Sequence, residues 1–483
     1  MAQRIPREQV EKDLVFIGLL IMQNALKPES LPIIDTLQAA NIRTVMVTGD
    51  NMLTAVSVAR ECGIVGFDQK VIRVNNSPDD ERQLIWNVVG EIRKDSPLSD
   101  ATPLEVNHRA RKPFHIAISG KTYAYIRNNR PDLLDKLLLY GAVFARMSPE
   151  QKTHLIEDLQ SLDYCVGMCG DGANDCGALK AAHAGISLSE AEASIASPFT
   201  SKVPNIECVP KVIKEGRCAL VTSFACFKYM ALYSIVQFVS VLILYSIGSN
   251  LGDWQFLYID LIIITSLALV MGHQHPYPTL VARRPGGSLV APIVLLSLIL
   301  QMAVQITVQV VGNEFVKRQP WFKPVNMSVV IASDDGVQIP CHQNTVLFTL
   351  SSFQYILLAV AFSRGKPYRL PIYRNIWFII VLLVLSAFSL FLALYDSKQP
   401  FEFFELLVLP DFNFRLYLLG FVAANFFVSV ILEDCIMTSE SVAGCLNTLR
   451  RKRHPKNRYK RLENEYQHDK TWLSTPHQCV VHS

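Results

Sequence analysis

"YCVGMCGDGAND" (164–175) decides how this chain is read. An apolar, β-prone run ends in a loop that holds two glycines and two carboxylates, Asp171 and Asp175. A small-residue helix, "ALKAAHAG" (178–185), follows. Glycine lets the backbone approach a ligand closely, and carboxylates suit Mg²⁺, a hard cation that takes oxygen ligands and keeps waters. Gly-Asp-Gly-x-Asn-Asp after an apolar strand has little purely structural reason to exist, so the loop marks a site.

Upstream, "IRTVMVTGDN" (42–51) reads as a buried strand that ends in a tight turn at Thr48, Gly49 and Asp50. The helix "NMLTAVSVARECGI" (51–64) follows, with Asn51 or Asp50 placed to cap it. The longer segment 19–50 reads strand, loop, helix, strand, a βαβ unit of a parallel sheet. The pattern recurs as "GAVFARM" (141–147), a strand, and "SPEQKTHLIEDLQSL" (148–162), a helix opened by Ser148 and Pro149 with Lys152 in its first turn. Ligands bind at the C-terminal ends of such strands, so Thr48, Lys152 and Asp171 can converge. A hydroxyl and an ammonium group hold phosphate oxygens. Taken singly, a Thr-Gly-Asp turn is also a common helix cap and Lys152 a common solvated lysine.

The chain changes character near residue 219. Half of its 483 residues are hydrophobic and 18% are charged, with formal charge +4, and the apolar excess lies in the second half. No nucleic-acid partner is expected. The eleven cysteines form no CxxC pair or Cys/His cluster, and Cys165, Cys169 and Cys176 read as small core thiols of a reducing compartment. The N-terminus has no apolar signal-peptide centre. Six segments can cross a bilayer, which takes about 20 residues: 220–248, 254–272, 289–312, 345–363, 376–395 and 416–432. Basic residues orient them. Arg283 and Arg284 follow the second span, Arg364, Lys366, Arg369 and Arg374 follow the fourth, and "LRRKRHPKNRYKR" (449–461) follows the sixth. These loops and the first 218 residues are expected on the cytosolic side, and the 313–344 loop, with Asn326 in a glycosylation-type "NMS", on the other. The tail 434–483 could touch anionic membrane lipid or be a solvated charge run.

Polar groups inside spans are costly and usually functional. Asp260 lies in "FLYIDLIII", while Tyr233 and Gln237, four apart, share a face of the first span. A carboxylate, an amide oxygen and an aromatic ring suit an ammonium-bearing substrate. Alternatively, Asp260 caps the turn "NLGD" or pairs with Lys228.

"TGD" (48–50), "MSPEQK" (147–152) and "GDGAND" (170–175) resemble the phosphorylation domain of P-type ATPases, which has a haloacid dehalogenase-like fold. The stretches 45–62 and 166–202, with "SSFQY" (351–355) and "FSRGKP" (362–367), resemble the fifth subfamily, branch B, polyamine-transporting ATPases of late endosomes and lysosomes. The resemblance implies catalytic and ATP-phosphoryl-binding roles for Thr48, Gly49, Asp50 and Lys152, with Asn174 completing the loop. It implies Mg²⁺ at Asp171 and Asp175, and a spermine- or spermidine-class substrate along Tyr233, Gln237 and Asp260. The implied fold is an incomplete α/β haloacid dehalogenase-like phosphorylation domain (1–218), an all-α six-helix transmembrane bundle (219–433) and a basic cytosolic tail (434–483). The family's "DKTGT", whose aspartate is phosphorylated, is not in this sequence. Nor are the actuator domain, most of the nucleotide-binding domain, or four earlier spans. The expectation is the C-terminal part of a pump, inactive alone and dependent on the missing N-terminal half. A truncated, non-catalytic isoform that binds the full pump is the alternative. A tethered phosphatase would need its own nucleophile, and no DxD is present.

Overall fold

The structure, a computed structural model, describes residues 11–18, 25–77, 84–89, 114–189, 195, 197–324, 340–395, 403–438 and 457–468. The α/β part runs α1 (Ser30–Ala39), β1 (Met46–Val47), α2 (Met52–Glu61), β2 (Lys70–Asn76), β3 (Leu84–Val89), β4 (Phe114–Ser119), α3 (Gly120–Asn129), α4 (Pro131–Tyr140), β5 (Gly141–Ala145), α5 (Pro149–Ser161), β6 (Gly167–Gly170), α6 (Cys176–Ala181), β7 (Ala184–Ser187) and β8 (Phe199–Thr200). Local chemistry sets these elements. Asn51 caps α2 by accepting the Leu53 N–H at 3.2 Å, and Met52, Ala55, Val56 and Ala59 form its buried stripe. Ser148 and Gln151 close a reciprocal capping box on α5, with Pro149 in its first turn.

The strands fall into two sheets. One has the order β1-β5-β4-β2-β3, parallel except for the antiparallel β2–β3 pair, and the other is the parallel set β6-β7-β8. Among the described residues β1 and β6 are therefore open parallel edges. The first strand expected in segment 19–50 lies largely outside the described residues, and residues 14–18 carry no strand.

Among the described residues six helices are long and apolar enough to cross a membrane: α7 (Cys208–Tyr245), α8 (Asp253–Gly272), α9 (Pro292–Lys317), α10 (His342–Phe362), α11 (Ile376–Leu394) and α12 (Phe412–Thr438). A last helix, α13 (Arg458–His468), follows. Helix α10 is buried on nearly every face and forms the centre of the bundle. The expected boundaries at 218 and 433 both fall inside continuous helices, α7 and α12. The α/β part and the first span are thus joined by one rod. Asn326 lies outside the described residues.

A polar column runs along α9. Ser297, Gln301, Gln305, Gln309 and Asn313 repeat every four residues and are all buried. Gln301 donates to the Ser429 carbonyl at 2.8 Å, Gln305 to Ser429 Oγ at 3.0 Å, Gln309 to Gln354 Oε1 at 3.0 Å, and Gln343 donates to Asn313 Oδ1 at 2.8 Å. At one end Lys228 Nζ meets Glu433, whose other oxygen accepts the Ser297 hydroxyl at 2.6 Å. Between apolar helices such bonds tie spans together where hydrophobicity gives no drive.

Candidate phosphate and cation sites

The end of β5 and the turn after β1 are stitched together. The Arg146 N–H donates to the Asp50 carbonyl and the Met147 N–H to the Thr48 carbonyl, each at 3.0 Å. The Thr48 hydroxyl donates to Asp50 Oδ2 at 2.8 Å and accepts the Asp50 N–H at 3.1 Å. Two residues past Met147, α5 begins. Its capping box fixes the first turn, so Lys152 projects toward the loop after β6. There Lys152 Nζ lies 2.7 Å from Asp175 Oδ1, with both side chains mostly buried. Gly170 leaves room for this: a Cβ there would come within 2.7 Å of Asp175 Oδ2.

Thr48 with Asp50 and Lys152 with Asp175 form two separate pairs, joined along the chain by the Arg146–Met147 backbone bonds to the turn and by the first turn of α5. Asp171 and Asn174 are exposed on the same loop and, among the described residues, have no hydrogen-bonded or ion-paired partner. The two carboxylates differ: Asp175 is committed to Lys152, and Asp171 is free. Among the described residues no cluster of three His, Cys, Asp or Glu forms a metal cage. Mg²⁺ commonly takes one or two carboxylates and keeps waters and substrate oxygens, so a single free carboxylate at a strand end fits it. Asp171 would hold the ion, and the ion would supply charge opposite phosphoryl oxygens.

The cysteines depart from the expected core thiols. Cys165 is exposed, and Cys169 and Cys176 are partly buried. Burial, then the neighbouring Cys208 thiol and the charges of Asp171 and Asp175, push the Cys169 thiol up to about 12. At pH 8 such a thiol is ionised to about one part in ten thousand. Maleimide should accordingly label Cys165 while leaving Cys169 almost untouched until the protein is unfolded. Peptide mapping that finds equal labelling would contradict this environment.

In the membrane half, α8 is not a uniform α-helix. Tyr258–Ile264 form a π-helical segment, a feature often found at functional sites. It carries Asp260, which is exposed on the bundle surface and accepts a hydrogen bond from Gln237 Nε2 at 3.3 Å. Tyr233 packs edge-on against Tyr355, ring centroids 6.1 Å apart. The hydroxyls of Tyr229 and Tyr355 are buried without a hydrogen-bond partner among the described residues. Both alternatives for Asp260 fail: it lies in the π segment beyond the turn at 250–253, and Lys228 belongs to Glu433. Span length and composition leave Tyr355, the π segment and the Lys228–Glu433 pair unnoticed. The four-residue spacing of polar residues on α9 was the available signal for the buried column.

These features put on one chain six membrane-span-capable helices, an α/β part with the Thr48–Asp50 and Lys152–Asp175 pairs, and a carboxylate, Asp260, within a span. No protein-family model matches the chain. It is 48% identical over 475 residues to the polyamine-transporting ATPase 13A2 of Homo sapiens, covering 96% of this chain and 39% of that protein. It is 43% identical over 501 residues to the polyamine-transporting ATPase 13A3 of Mus musculus, covering 98% and 41%. It is 43% identical over 462 residues to the probable cation-transporting ATPase 13A4 of Mus musculus, covering 90% and 39%. Along about 96% of its length the chain is thus similar, at 41–48% identity, to P-type ATPases of the 13A family, in the C-terminal part of those proteins. It spans about two fifths of the length of these curated relatives.

Proposed function

We propose that these residues are the C-terminal portion of an ATP-driven pump that moves polyamines of the spermine and spermidine class across a late-endosomal or lysosomal membrane. The observation that carries the reading is one continuous helix. Helix α7 starts beside the phosphate cluster, where Cys208 neighbours Cys169, and continues into the span that carries Tyr233 and Gln237. A change at the cluster can reach the cation site through that rod.

In this reading the α/β part is the C-terminal section of a haloacid dehalogenase-like phosphorylation domain. The phosphorylated aspartate lies in the portion of the pump outside these 483 residues. The open edges of β1 and β6 support this, because another parallel strand could pair between them. Its end would fall beside Thr48, Lys152 and Asp171. Thr48 and Lys152 would hold the transferred phosphoryl group, Gly49 and Asp50 would shape the turn, and Asn174 would complete the loop. ATP and Mg²⁺ are the cofactors, with Asp171 the carboxylate free to reach the ion. Asp175, the second carboxylate expected at the metal, would act through Lys152. A polyamine's ammonium groups would meet Asp260, with Gln237 and Tyr233 beside it. Phosphoryl transfer depends chiefly on positioning and charge stabilisation, which these side chains can supply.

The test is transport by the intact pump in sealed vesicles. Labelled spermine should cross in an ATP-dependent manner, and spermine should stimulate ATP hydrolysis. Hydrolysis stimulated by a metal cation and indifferent to polyamine would overturn the substrate assignment.

Orientation can be checked in the same vesicles. The proposed side for the α/β part, the 273–291 and 363–375 loops and the tail is the cytosol. With that face outward, trypsin should cut the "RRKR" run (450–453) readily. The loop containing 325–339 should be cut only after detergent. Tail cleavage that requires detergent would reverse the topology.

A further inference from the structure

Helix α13 does not project as a free basic tail. It packs on the α/β part, at the end of the strands away from the phosphate cluster. Tyr459 is mostly buried, and its ring stacks on Tyr164 with centroids 4.1 Å apart and planes 19° apart. The Tyr459 N–H donates to the Leu162 carbonyl at 3.0 Å. The Arg458 N–H donates to Asp163 Oδ2 and its guanidinium to Asp135 Oδ2, each at 2.8 Å. Leu462 and Tyr466 pack against the same apolar cluster. The Arg43 guanidinium also lies over the Tyr164 ring, 5.6 Å from its centroid. Glu463 is close enough to influence both Arg43 and Tyr164 electrostatically.

The positions of these partners matter. Arg43 stands just before β1, and Tyr164 just before β6. The far ends of those strands lead to Thr48–Asp50 and to Gly170–Asp175. The two strands belong to different sheets and share no ladder. The rung Arg43–Tyr164–Tyr459 therefore crosses the seam between the sheets. From Arg43 to Thr48 an extended chain covers about 16 Å, so a small tilt at the rung would displace the turn at the other end. An isolated helix of eleven residues is marginal in water, so α13 owes its shape to this docking.

We propose that Tyr459 is a positioning residue: through its stack on Tyr164, α13 braces the seam between the two sheets and sets the spacing between the Thr48 turn and the Asp171 loop. The inference rests on the reading of that cluster as a phosphoryl site. The brace moves with the α/β part and does not undock during turnover.

Two measurements test it in the intact pump. Tyr459→Ala should lower the rate of phosphoenzyme formation per folded molecule about fivefold or more and raise the Mg²⁺ concentration for half-maximal phosphorylation. Tyr459→Phe, which keeps the stack, should restore both. A merely structural contact would reduce the yield of folded protein and leave the Mg²⁺ midpoint unchanged, and that result would overturn the proposal. The second measurement joins Asp163→Cys to Arg458→Cys with a short thiol crosslinker, with each single variant as control. Crosslinking should be efficient, and the linked pump should keep most of its turnover. Failure to link would refute the docking, and arrest by linking would show that α13 must undock, replacing a brace by a latch. If Tyr459→Ala cannot be folded, the Tyr459→Phe and crosslinking results still decide. Failure of the phosphoryl-site reading is separable, because it would appear as full turnover in a pump altered at Asp171 while crosslinking remained efficient.

Discussion

Replacing Asp171 by Asn in the intact pump should reduce ATP turnover by about a hundredfold or more, with little loss of folded protein. Asp171 is exposed and has no partner among the described residues. Exposed substitutions away from caps and networks usually change stability by no more than about 0.5 kcal/mol. The amide keeps the size of the carboxylate and removes its charge, which is what Mg²⁺ and the phosphoryl group require. Removing one group that stabilises transition-state charge commonly costs about 10²–10³ in rate. Asp175→Asn should behave differently. It would leave the mostly buried Lys152 ammonium without its carboxylate. Breaking a buried pair by removing one member costs about 3–5 kcal/mol, and partial exposure here reduces that figure. That variant should lose folded protein as well as turnover. Phosphoenzyme yield from labelled ATP, measured across a Mg²⁺ titration with thermal unfolding alongside, separates the two. Normal Mg²⁺-dependent turnover in Asp171→Asn would remove the loop from the chemistry.

The contrast between these aspartates was only partly legible in the sequence. "GDGAND" announces a site because its glycines and carboxylates follow an apolar strand. Spacing along a loop does not say which carboxylate faces the lysine. That depends on where the first turn of α5 points, which is a tertiary matter. The Ser148–Gln151 box and the Asn51 cap were readable because capping is local and involves residues three or fewer apart. The six spans were readable because a bilayer imposes length and composition on any segment that crosses it.

Features that depend on distant partners were not readable. The π segment in α8 has no composition that separates it from α-helix. Lys228 pairs with Glu433 from the last span, far away in sequence, rather than with Asp260 from the next one. The division into two sheets also escapes a strand-by-strand reading, because pairing of β1 and β6 depends on what lies between them. The "RYKR" run reads as solvated charge, yet its tyrosine is the most buried part of α13. An amphipathic aromatic stripe, Tyr459, Leu462 and Tyr466, was present at helical spacing and could have suggested a docked helix.

The second large effect is expected at Asp260. In the intact pump, Asp260→Asn should weaken the apparent affinity for spermine about tenfold or more, while basal phosphorylation remains and the protein inserts normally. The carboxylate lies within a span, bonded to the neutral Gln237 amide and free of any basic side chain among the described residues. Lys228, the cation within reach in sequence, is already matched by Glu433. A negative charge left open at that depth is costly unless a cation visits it. An interaction worth a few kcal/mol corresponds to about ten- to hundredfold in affinity. Gln237→Ala and Tyr233→Ala each remove a neutral contact of about 1 kcal/mol, so their effects should be several-fold at most. A purely structural Asp260 predicts the opposite order. Asn would then accept the Gln237 hydrogen bond as well as Asp does, transport would barely change, and losing Gln237 would matter as much as losing the charge. Spermine-stimulated ATPase activity of the three variants, at matched phosphoenzyme levels, distinguishes these outcomes. Near-normal stimulation in Asp260→Asn would remove the carboxylate from the cation site and leave the polyamine assignment without its main local support.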